Sequence, residues 1–169
     1  MSVVLAEALI SKWMGGKKQP EILEQSESFP GSQMQDIRYK PLLDFGNPIE
    51  ELYGSTDAYR VITGNHVTTE DGTGVVHTAP SFGADDRMVG KENGIGALTL
   101  VDKQGKFVDT AGEFSGRYVK NYKDDPNYVD VNIDISVRLK KDGKALNVAK
   151  YEHNYPHCWR TDKPILYYP

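Results

Sequence analysis

The chain has 169 residues, 38% of them hydrophobic and 26% charged, which suits one globular domain with a single sizeable core and leaves little room for two. Its formal charge of −4, from 20 cationic and 24 anionic side chains, gives no electrostatic reason to expect strong autonomous binding to nucleic acid. One cysteine, Cys158, excludes an internal disulfide and offers no thiol pair for a metal, and the apolar run Val3–Ile10, broken by Glu7, is too short to span a bilayer and lacks the basic flank and small-residue cleavage signal of a secretory peptide.

A cytoplasmic protein with no membrane partner, no metal and no cofactor is therefore expected. Small basic clusters at Lys17 with Lys18, at Lys120 with Lys123, and at Lys140, Lys141 and Lys144 could touch a phosphate backbone, although such groups are commonly solvated surface. In chain order, the first element reads as a helix with Ser2 as N-cap, Leu5, Leu9 and Trp13 at helical spacing, and Gly15-Gly16 as its stop. Residues 17–35 are polar and interrupted by Pro20 and Pro30, and read as an irregular connection.

Strand signals follow at Asp36–Leu43, Ala58–Thr63 and Gly74–Thr78, with Glu70-Asp71-Gly72 as a tight reversal between the second and third. Ala84–Asn93 reads as a short helix bounded by Gly83 and Gly94. Two further strands are expected at Ala97–Asp102 and Lys106–Val108, joined by Lys103-Gln104-Gly105. A helix over Val131–Lys141 has Val131, Ile135 and Leu139 at i, i+4 spacing and pairs Asp134 with Arg138, and Gly143 ends it. The stretch from Leu146 to Pro169 is apolar, aromatic and proline-containing, and suits strands and a chain exit. Short strands mixed with two or three helices, without βαβ alternation, predict an α+β fold: a mostly antiparallel sheet or small β-barrel decorated with helices.

Chemistry concentrates between Asp71 and Asp86. A glycine-flanked turn feeds the strand that carries His77, Pro80 and Gly83 break it, and a helix opens with Asp85 and Asp86. His77 at a strand end and Asp86 in the first helical turn can line one cleft. A carboxylate there is favoured by the positive helix end, so it suits holding a cation such as an α-ammonium better than donating a proton. Each residue alone has a structural explanation, since acids open many helices and a histidine after two valines is often a core or rim residue. Gly72-Thr73-Gly74 lacks the full glycine fingerprint of a dinucleotide site and the ending of a P-loop.

Taken whole, Gly72-Thr73-Gly74-Val75-Val76-His77-Thr78-Ala79-Pro80 with Asp86 nine residues after His77 resembles the editing-domain block of the class I synthetases for isoleucine, valine and leucine. Histidine at position 77 resembles the isoleucyl version, where the valyl and leucyl versions carry lysine and methionine. Tyr39–Phe45 resembles the segment before this block, and His153–Arg160 resembles the return toward the catalytic domain, so nearly the whole chain is covered.

The resemblance implies a single editing domain over residues 1–169, with 151–169 as the return strand. It implies hydrolysis of valine from the 3′ end of tRNA(Ile), and of valyl-adenylate, by a positioned water. Asp86 would grip the ammonium and His77 would limit side-chain size, with Thr78, Ala79, Pro80, Phe82 and Gly83 contacting substrate. The physical need is that one methylene separates valine from isoleucine by only about 1–3 kcal/mol, a limit for which the isoleucyl enzyme is itself the standard illustration. The partners implied are tRNA(Ile) and the catalytic domain of the same polypeptide.

The family's upstream Thr-Pro-Trp-Thr element and its His-Ile-Gly-His and Lys-Met-Ser-Lys-Ser signatures do not occur in this sequence, so amino-acid activation by this chain is not expected and its isolated editing should be weak. Thr161 stands where some relatives carry a second cysteine, which argues further against a metal. The alternatives are a freestanding deacylase acting in trans, and a non-catalytic module that docks other domains.

Overall fold

The computed structural model describes residues 2–17, 19–45, 58–70, 72–150, 152 and 154–168. Lys18, Asp71 of the expected reversal, and Tyr151, His153 and Pro169 of the expected return strand lie outside them.

The amino-terminal helix is shorter than its apolar spacing predicts. A 3-10 turn over Glu7–Leu9 leads into α1, Ile10–Trp13, and the N-cap is Ala6 rather than Ser2. The reason is tertiary. The Ala6 N–H, which in a longer helix would bond back to Ser2, donates instead to the Thr73 carbonyl at 2.8 Å. So short a helix cannot sustain itself without such packing. The connection that follows is irregular as expected, apart from a 3-10 turn over Gly31–Met34 behind Pro30.

Among the described residues the expected sheet or small barrel does not form, and the α+β assignment is corrected accordingly. Pairings with both partners among the described residues are isolated antiparallel bridges: Arg38 with Arg60, Val101 with Phe107, Lys106 with Tyr118, and His157 with Pro164. Each is stopped by its neighbours. Asp36 and Tyr59, flanking the first bridge, have φ of +64° and +55°, left-handed values that no strand accommodates. The expected 97–108 hairpin survives as a tight reversal, with Val108 donating to Leu100 and Asp102 to Lys106, and Phe107 adds a third strand segment by donating to Arg117. A 3-10 turn over Asp109–Phe114 then ends the pairing. The last bridge closes a reversal through Asp162 at φ +53°. Gly74–Thr78, expected as a strand, carries no bridge among the described residues.

The two remaining helices appear close to where local signals place them. α2 spans Ala84–Glu92 with Gly83 as N-cap, and Gly94 follows at φ +66°. α3 spans Val131–Lys141, and its N-cap Asp130 accepts from the Asn132 N–H. Val131 is fully buried, Val101, Ala111 and Phe114 are buried as well, and the Phe45 and Phe107 rings each lie 6.2 Å from Phe114. Asp134 does not pair with Arg138 as its spacing suggests. It holds Arg117 at 2.7 Å, tying α3 to the 116–119 segment, while Arg138 reaches Asp142 and Glu113. No helix among the described residues is long and apolar enough to cross a membrane.

Candidate functional site

The site is built on a turn, a loop and a helix start. Gly72 and Gly74 hold φ of +64° and +76°, and between them the Thr73 hydroxyl bonds the Val75 carbonyl at 3.0 Å. The amino-terminal segment clamps this turn. Trp13 Nε1 donates to the Gly72 carbonyl at 2.6 Å, Ala6 donates to Thr73, and a Cβ on Gly74 would stand 2.5 Å from the Ala6 methyl. Glycine is therefore required at 74 both for its backbone and for the close approach.

Beyond the turn, Val75, Val76 and His77 are exposed, and Thr78, Ala79 and Pro80 are half-buried. A tight turn follows in which the Phe82 N–H donates to the Ala79 carbonyl at 2.9 Å, so that N–H is committed within the loop. Ser81, 4% exposed, anchors the loop by donating its hydroxyl to the Leu98 carbonyl. Pro80 sits against α2 where it passes Gly90: a Cβ there would lie 2.8 Å from Pro80 Cγ.

Gly83 begins α2 in extended backbone with no side-chain cap, leaving the first-turn N–H groups without a capping side chain. Asp85 and Asp86 occupy that first turn. The Asp86 carboxylate folds back so that Oδ2 lies 3.0 Å from where a Gly83 Cβ would be, and glycine at 83 leaves it that space. Asp86 is half-buried and His77 exposed, and neither makes a side-chain hydrogen bond or ion pair among the described residues; the Thr78 hydroxyl likewise has no partner there. The far end of α2 is fixed by Arg60, which donates to the Asn93 carbonyl at 2.6 Å and pairs with Asp36.

Thus the structure joins Gly83 to Asp86 and Ala79 to Phe82, and sets Pro80 against the same helix, while no bond links His77 to Asp86. Two hollows of about 270 and 250 Å³ lie elsewhere, beside α3, bordered by Glu113, Phe114 and Arg138, and none of the residues above lines either. Three residues that support the loop, Ala6, Ser81 and Gly90, were not singled out from sequence, and Trp13 was read only as a residue of the first helix. Only Gly90 carried a signal, because glycine inside a helix is costly unless something packs closely on it.

Elsewhere, hydrogen bonding from the Thr161 hydroxyl, and from the Arg160 and Thr161 N–H groups, holds the Cys158 thiol below its ordinary pKa. Burial raises the phenols of Tyr59, Tyr122, Tyr128 and Tyr155.

No family model matches the chain. It is 39% identical over 204 aligned positions to the isoleucine–tRNA ligase of Cytophaga hutchinsonii, which covers 100% of this chain and 18% of that protein. It is 42% identical over 171 positions to that of Porphyromonas gingivalis, covering 84% and 14%, and 42% identical over 139 positions to that of Thermoplasma acidophilum, covering 82% and 12%. The chain thus spans 12–18% of the length of these relatives.

Proposed function

We infer the function from one premise: the chain belongs to the isoleucine–tRNA ligase family, as a segment of such an enzyme. Within it, we propose, this segment edits, hydrolysing the ester that joins misattached valine to the 3′ end of tRNA(Ile), and valyl-adenylate as a related substrate. The partners of the reaction are that tRNA and the catalytic domain of the same polypeptide, and the hydrolysis as proposed uses water and no cofactor.

The observation that carries the reading is the Asp86 carboxylate. It is half-buried over the amino-terminal end of α2 and has no cation against it among the described residues. An ammonium placed about 4 Å away would gain roughly 4 kcal/mol at the screening typical of a protein surface, before the desolvation of both groups is subtracted. The loop beside it has a shape set by Ser81 on Leu98, Pro80 against Gly90 and Phe82 on Ala79. Such a fixed loop is what positions an ester for attack. In this reading Thr78, Ala79, Pro80, Phe82 and Gly83 border the substrate, and the His77 imidazole restricts its side chain.

The test is Asp86→Ala in the complete synthetase. Deacylation of valyl-tRNA(Ile) should fall by at least tenfold while the melting temperature and isoleucine activation stay unchanged. Unchanged deacylation with a lowered melting temperature would instead support a docking module. His77→Gly should let isoleucyl-tRNA(Ile) be hydrolysed, because the wall that rejects the extra methylene is gone.

A further inference from the structure

Three lysines outside the site described above lie over the rings of two tyrosines. Lys106, bridged across to Tyr118, places Nζ 4.9 Å from that ring's centroid, and Lys123 Nζ reaches the same ring at 5.3 Å. Lys120 Nζ lies 4.4 Å over the ring of Tyr155. Tyr118 meets Tyr122 edge to face with centroids 6.1 Å apart, and Tyr155 is near enough to Tyr122 to contribute, after burial, to raising its pKa.

None of these ammonium groups pairs with a carboxylate among the described residues. The nearby acids are occupied. Asp124 holds Lys163, Asp125 accepts from the Asn127 N–H, and Asp102 accepts from the Gln104 and Lys106 N–H groups. Lysine stems commonly cover apolar surface, but that alone gives no reason to bring two ammonium groups onto one ring, where they repel. A polyanion laid along these lysines removes the repulsion and replaces the missing counter-charges. In a chain of net charge −4 this is a local exception rather than a general basic surface.

We propose that Lys106, Lys120 and Lys123, held on Tyr118, Tyr122 and Tyr155, form a contact surface for the phosphodiester backbone of tRNA. The proposal rests on the chain being part of a tRNA synthetase, and is independent of the roles given to Asp86 and His77. In the complete synthetase, the dissociation constant for uncharged tRNA(Ile) is measured against salt concentration, for the wild type and for the triple variant Lys106→Gln, Lys120→Gln, Lys123→Gln. Each phosphate contact contributes about 0.7–0.9 to the slope of log affinity against log salt, so the triple variant should lose about two to three. The corresponding arginine variant should keep the wild-type slope, and isoleucine activation, which needs no tRNA, should be unchanged in both.

Should the triple variant fail to fold, the single glutamine variants serve, each losing a slope of about 0.7–0.9. A slope equal to that of the wild type, or arginine variants as weak as the glutamine ones, overturns the proposal. Asp86→Ala should leave the slope alone, so the failure of one idea does not imply failure of the other.

Discussion

Gly74→Ala tests how the amino-terminal segment and the glycine turn depend on one another. Two costs add at this position. Placing a Cβ on a residue at φ +76° costs about 1–2 kcal/mol, and pushing that Cβ into the Ala6 methyl, 2.5 Å away, costs about 1–3 kcal/mol as overpacking or as loss of the Ala6-to-Thr73 hydrogen bond. The total is about 2–5 kcal/mol. For a chain of this size each kcal/mol lowers the melting temperature by about 2–4 °C, giving a fall of about 4–20 °C. Gly72→Ala is the control. It also has positive φ, at +64°, but nothing lies within 4 Å of its added Cβ, so only the backbone cost of about 1–2 kcal/mol applies. Chemical denaturation of both variants, together with Ala6→Gly and the double variant Ala6→Gly, Gly74→Ala, closes a cycle in which the double variant should recover about 1–3 kcal/mol. Equal stabilities for Gly72→Ala and Gly74→Ala, or a double variant no better than Gly74→Ala, would refute the clamp.

Gly90→Ala should destabilise the chain although the same change in an open helix stabilises it by about 1 kcal/mol; the Cβ meets Pro80 at 2.8 Å and shifts the loop, so thermal unfolding and valyl-tRNA deacylation by the complete synthetase should both suffer. A stabilised variant with full editing would remove Pro80 from its assigned place. Because burial raises the phenols of Tyr59, Tyr122, Tyr128 and Tyr155, the folded state favours their protonated form. That contribution is complete below about pH 10, the unfolded value, and is lost as pH rises through the raised folded values. Alkaline denaturation followed by phenolate absorbance should show a late-titrating group of tyrosines, and a single common titration before unfolding would contradict it. Cys158 should alkylate with a pH midpoint below that of the denatured chain, and Thr161→Val should move the midpoint upward by removing the first of its hydrogen bonds; no movement would mean that the hydroxyl does not hold the thiolate.

What the sequence disclosed and what it hid divide along sequence distance. α2 and α3 were legible because their signals are local: Gly83 and Gly94 bracket one, and the other has Val131, Ile135 and Leu139 on one side and Gly143 beyond its end. The barrel was misread because alternation records which residues tolerate a pleated chain, whereas pairing requires a partner in register, and Tyr59, a strand-favouring residue by type, adopts φ +55° beside the one bridge its segment makes. Asp134 shows the same limit on a smaller scale, since its spacing selects Arg138 and its actual partner, Arg117, comes from a different element. The motif from Gly72 to Asp86 was readable as a string. Its supports were not, because Trp13 meets Gly72 across 59 residues and Ser81 meets Leu98 across 17, and neither pairing leaves a trace in local composition. A motif therefore identifies which groups a site can use, while the precision with which they are held depends on contacts such as Ala6 against Gly74; substitutions at positions 6 and 13 should consequently alter the loop between Gly72 and Asp86 without touching any residue that the motif contains.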